Sequence, residues 1–96
     1  MAYSIFISKR ALKEIEDAID YYFQYSAKAP LDFTGELQTA YRILATQPPT
    51  RFFYKKVRGL KLKRFPYLLY FTVNEDAKII NILACFHNKR DPNLRP

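Results

Sequence analysis

VRGLKLKRFPYLLYFTVNEDAKIINILACFH, residues 57–87, is the stretch that decides the fold. Its first part has a period of two: Leu60 and Leu62 alternate with Lys61 and Lys63. A strand with that spacing turns its apolar side chains one way and its cations the other. PYLLYFTV (66–73) and KIINILACFH (78–87) follow, separated by Asn74-Glu75-Asp76-Ala77. Two β-branched and aromatic runs about a short polar turn predict a hairpin. In the second run Ile80, Ile82, Ala84 and Phe86 alternate against Ile79, Asn81, Leu83, Cys85 and His87. Both sets are largely apolar, which places this strand centrally in its sheet, covered on at least one side.

Upstream of these strands the period is helical. After a short β-prone run, YSIFIS (3–8), Ser8 is placed to cap a helix. Ala11, Leu12, Ile15, Ala18, Ile19, Tyr22 and Phe23 then recur three and four apart, one apolar stripe directed at a core. Glu14 with Asp17, and Glu16 with Asp20, read as solvated neighbours. The pattern breaks at Ser26–Pro30, resumes through Phe33, Leu37, Ala40, Tyr41 and Leu44, and stops at Pro48-Pro49. The predicted fold is α+β: an N-terminal strand, a helical hairpin, then about three antiparallel strands in one sheet with the helices packed on one face. The other face, towards Lys61 and Lys63, is expected to be open and basic.

The totals fit a single domain over residues 1–96, with 49% hydrophobic residues to build its core. The lone Cys85 has no disulfide partner within the chain, and it lies in an apolar run where a free cysteine behaves as a small hydrophobe. No apolar run approaches a bilayer span, and Met1-Ala2-Tyr3 does not begin a signal peptide. The expected setting is the cytoplasm, away from membranes.

Charge is divided unevenly. Residues 1–50 hold five Lys/Arg and six Asp/Glu, whereas residues 51–96 hold eleven and three. Between Arg51 and Asn74 there is no acidic residue. Such a field attracts phosphate backbones, anionic surfaces or an acidic protein segment. Aromatics stand among these cations: Phe52, Phe53 and Tyr54 after Arg51, then Phe65 and Tyr67 after Arg64. Cations beside rings suit single-stranded RNA, and the same rings also suit a core.

One histidine and one cysteine make no zinc cluster, and isolated Gly35 and Gly59 make no phosphate-cradling loop. Neither a metal nor a cofactor is expected. Metal-free phosphodiester cleavage needs a base, an acid and cations for the developing charge. Arg58, Lys61, Arg64 and Arg90 are available as the cations, with His87 or Tyr70 for proton transfer. Alternatively, His87 is a strand-end residue beside Arg90 and Asp91, where Asp91-Pro92 terminates the strand.

Together the layout and motifs resemble toxins of the RelE/ParE superfamily, the toxic half of bacterial type II toxin–antitoxin pairs. The resemblance runs over nearly the whole chain, through the proline-ended second helix (ATQPP), the basic strand VRGLKLKRFPYLLYF and the ending ACFHNKRDP. It implies a small basic protein held inactive by an acidic antitoxin encoded beside it, the complex meeting operator DNA through the antitoxin. The HNKRDP ending is similar to the ParE-like, plasmid-stabilisation side, whose members poison DNA gyrase and so replication. On that reading Arg58, Lys61, Lys63, Arg64, His87 and Arg90 bind the target. RelE-like members instead cut messenger RNA on the ribosome; there His87, Arg58, Arg64 and Arg90 would be catalytic. No tyrosine follows His87, a departure from the RelE pattern. A third alternative is an inactive toxin retained as an antitoxin-binding co-repressor.

Overall fold

In the computed structural model, residues 2–50 and 52–87 are described, the strand at 52–54 through its backbone alone. The elements in chain order are β1 (Ser4–Ile7), α1 (Lys9–Phe23), α2 (Lys28–Thr46), β2 (Phe52–Tyr54), β3 (Val57–Lys61), β4 (Tyr67–Asn74) and β5 (Ile79–His87). They form the expected α+β arrangement around one five-stranded sheet, ordered β1-β5-β4-β3-β2. The sheet is mixed, because β1 runs parallel to β5 while β2 to β5 are antiparallel neighbours. β5 lies between β1 and β4, as its double apolar character predicts.

Local chemistry sets the boundaries. The Ser8 hydroxyl accepts from the Ala11 N–H at 3.0 Å and starts α1. Pro30 stands in the first turn of α2, where a missing N–H breaks no intrahelical bond. α2 ends at Thr46, just before the two prolines. The β4–β5 turn is held by the Asn74 side chain, whose Oδ1 accepts from the Ala77 N–H at 3.0 Å.

The helices cover one face of the sheet. Between them lie Ala11, Ile15 and Ala18 of α1, Phe33, Leu37 and Leu44 of α2, and Leu69, Phe71, Ile80 and Ile82 of the strands, all buried. Cys85 belongs to the same core and is fully covered. Burial beside Cys85 pushes the Tyr41 phenol up to about 12.

The facing of β5 departs from simple alternation. Tyr70 pairs with Ala84 but Phe71 pairs with Ile82, so Leu83 is an extra residue, a β-bulge. Ile80 and Ile82 face the helices; beyond the bulge the parity reverses, and Ala84 and Phe86 face away while Cys85 turns to the core. His87 consequently stands opposite Tyr67 on the helix side.

The far face is also less basic than expected. Val57, Tyr70, Ala84 and Phe86 form a second buried apolar cluster there, with Leu68 and Leu83 against it. By register Lys61 lies opposite Leu68 on this side, and Arg58 lies opposite Phe71 on the helix side. Alternation about Leu60 sends these two cations to opposite faces.

Candidate functional site

Among the described residues, the predicted site residues are not gathered at one point. Arg58 is half-buried near the end of α2, its Nη1 donating to the Pro49 carbonyl at 3.4 Å. Arg64 is exposed yet engaged: its Nε donates to the Glu36 carboxylate at 2.6 Å, and its backbone N–H donates to the other oxygen at 3.1 Å. His87 is half-buried, with its ring edge-on to that of Tyr67 at 5.1 Å. It stands at the register of Tyr67 and Arg58 at that of Phe71, four positions along β4, about 13 Å apart along the strand. Tyr70, the other candidate for proton transfer, is buried in the far-face cluster. Lys61 and Lys63 are exposed. Arg90, Asp91 and Pro92 lie outside the described residues, as do Arg51 and the side chains of Phe52, Phe53 and Tyr54.

The rings nearest these cations serve the core. Phe65 meets Tyr22 at 5.0 Å and Phe33 at 5.2 Å, both edge-on. Tyr67 is buried beside them, 5.4 Å from the Phe33 ring. Neither ring is placed as an open platform for a base, since stacking needs a free face.

The described residues form an apolar trough instead. A trough of about 320 Å³ runs between α2 and the β3 end, floored by Ala40, Ile43, Leu60 and Leu62 and rimmed by Lys61 and Lys63. Glu36 stands at its edge and takes up the charge of Arg64. An apolar floor with a cationic rim suits a segment carrying both apolar and acidic side chains. Among the described residues no cluster of His, Cys, Asp and Glu is suited to hold a metal, and no helix is long and apolar enough to cross a membrane.

The Glu36–Arg64 pair has a pH signature. Partial burial raises the Glu36 carboxyl, but the Arg64 bonds and charge, with a Lys63 backbone contact, outweigh it and hold the carboxyl below its ordinary range. A depressed folded-state value stabilises the fold above the unfolded carboxylate value, about 4.3. That contribution disappears as pH falls through the folded value. Acid urea titrations are expected to show Glu36→Gln losing less stability than the unmodified chain between about pH 6 and about pH 3. Equal losses would remove Glu36 from the account.

Glu14 escaped the sequence reading as a solvated residue. Its side chain is only 13% exposed, and Oε1 accepts from the Cys85 N–H at 3.0 Å. A signal was present: Glu14 falls three after Ala11 and four before Ala18, on the buried stripe itself.

Comparison with known proteins bears on the same chain. A family profile described as the ParE toxin of the type II toxin–antitoxin system parDE matches residues 5–92. Among solved structures, the chromosomal ParDE toxin–antitoxin system of P. aeruginosa contains a chain with TM-score 0.75 and 20% identity, covering 90% of this chain and 96% of that one. The archaeal RelE–RelB complex of Pyrococcus horikoshii OT3 contains another, with TM-score 0.56 and 20% identity, covering 95% of this chain and 100% of that one. At such identities these likenesses establish the fold alone. Among curated proteins no sequence relative matches.

Proposed function

The chain belongs to the ParE toxin family of type II toxin–antitoxin systems, and from that premise we propose that it arrests growth by binding DNA gyrase and stopping replication. The observation that carries this reading is the dispersal of the candidate groups among the described residues. Arg58 is turned to the helix layer, Arg64 is engaged by Glu36, and His87 lies against Tyr67. A ribonuclease must gather an acid, a base and cations about one phosphate; a binding protein needs only a shaped surface. The trough and its lysine rim supply such a surface. A cognate antitoxin with an acidic segment neutralises the toxin, and the complex reaches operator DNA through the antitoxin. Lys61, Lys63 and His87 contribute to binding on this reading.

Two assays on the purified chain test it. In a gyrase supercoiling reaction, inhibition is expected; in reconstituted translation, the reporter message is expected to stay intact by primer extension. Uninhibited gyrase together with ribosome-dependent cuts would establish the RelE-like ribonuclease. Activity in neither assay, with no growth arrest on expression, would leave an antitoxin-binding co-repressor. His87→Ala is expected to weaken inhibition about tenfold or less, the cost of one contact beside a buried ring. Removing a proton carrier costs about 10²–10⁴ in rate, so a loss of that size in message cleavage would restore His87 to a catalytic role.

A further inference from the structure

We propose that Glu14 is a positioning residue: its carboxylate locks the β5 bulge and thereby decides which face of the sheet His87 occupies. A bulge leaves backbone groups outside the ladder, and these need partners where water is excluded. Here the start of α1 provides both. The Ser8 hydroxyl donates to the Leu83 carbonyl at 2.9 Å, and Glu14 Oε1 accepts from the Cys85 N–H at 3.0 Å. β1 ends its pairing at Ile7 opposite Ile82, so these side chains take over where β1 stops. The second Glu14 oxygen accepts from Arg10 Nε at 3.4 Å, one turn back on α1.

The consequence lies in the parity of the strand. With Leu83 accommodated as an extra residue, His87 pairs with Tyr67 and Phe86 with Leu68. Without the bulge, the register that holds Asn74 opposite Ile79 and Phe71 opposite Ile82 would run on unchanged. Phe86 would then meet Tyr67, and His87 would point to the far face. One carboxylate on a helix thus selects between two presentations of the strand end.

Three variants of the full chain test the assignment: Glu14→Ala, Glu14→Gln and Glu14→Asp. Glutamine keeps an acceptor at the right reach, whereas aspartate keeps the charge and falls one methylene short. By NMR, Glu14→Ala and Glu14→Asp are expected to exchange the Cys85 amide about tenfold faster or more, and to lose the mutual ring-current shifts of His87 and Tyr67. Glu14→Gln retains both. Leu44→Val, a core change on α2, is the control: it lowers stability without moving the His87 signals. A folded Glu14→Ala or Glu14→Asp chain with unchanged His87 and Cys85 signals overturns the proposal; should the alanine variant not fold, the aspartate variant decides. Growth arrest adds a second readout that rests on the toxin reading, with Glu14→Gln as active as the unmodified chain and Glu14→Ala weakened to the extent of His87→Ala. If the unmodified chain causes no arrest, that reading fails and the NMR comparison alone decides the role of Glu14.

Discussion

Phe33→Ala is expected to destabilise the fold by about 3–5 kcal/mol, the usual cost of removing a fully buried aromatic ring. Phe33 has no exposed surface, and it joins the two layers of the molecule. From α2 it meets Tyr22 of α1 at 5.6 Å, Phe65 before β4 at 5.2 Å and Tyr67 of β4 at 5.4 Å. Its loss leaves a cavity that three large rings on different elements cannot close together. A domain of this size has about 5–15 kcal/mol in total, so the variant unfolds at much lower urea and leaves a measurable unfolded fraction in buffer. Phe33→Leu, which keeps most of the volume, is expected to cost clearly less. Urea midpoints for the two variants decide the matter, and equal midpoints would mean the ring cluster contributes no more than its aliphatic equivalent.

Reversing both rim charges, Lys61→Glu with Lys63→Glu, is expected to abolish growth arrest while the chain remains folded. Both side chains are exposed and neither belongs to the core. Their cost to stability is therefore small, within about 0.5 kcal/mol for each surface change. Binding responds differently, since each substitution exchanges an attraction for a repulsion. Like-charge juxtaposition across an interface costs several kcal/mol, and each 1.4 kcal/mol is about tenfold. Gyrase inhibition should accordingly fall about 100-fold or more, with circular dichroism and the urea midpoint unchanged. Undiminished inhibition by the folded double variant would remove the trough rim from the target surface. Antitoxin capture, measured separately, reports whether the same rim also serves the partner.

Much of the architecture was legible because the chain marks its periods clearly. The stripe of α1 and the halt of α2 at Pro48-Pro49 need only local rules. The position of β5 inside the sheet follows from the apolar run IINILACF. That same run concealed the bulge: where both faces are apolar, no polar residue marks the phase, so a one-residue shift at Leu83 leaves no trace in composition. The facing of Ala84, Phe86 and His87 was lost with it. The parallel pairing of β1 with β5 is a tertiary fact that no local pattern encodes.

The site was less legible than the fold. Lys61 and Lys63 are exposed as expected, but Arg64 was read as a free cation because Glu36 lies far away in sequence. Phe65 and Tyr67 were open to either a stacking or a core role, and their contacts with Tyr22 and Phe33 assign them to the core. Arg58 and Lys61 belong to one strand, and an odd spacing already separates their faces. Charge density along a sequence is therefore a poor guide to charge density on a surface when the segment alternates.

Pairing Ser4 with Ile79 has a consequence in time. Most of the chain lies between these partners, so closing that contact is costly in loop entropy and late among folding events. During synthesis the first strand emerges early and waits, its edge unpaired, until the last strand has left the ribosome. The helical hairpin, whose contacts are local, can form long before. A nascent chain of this topology has no complete sheet until β5 has emerged. Until then the apolar stripes of the two helices have no sheet to cover and stay exposed.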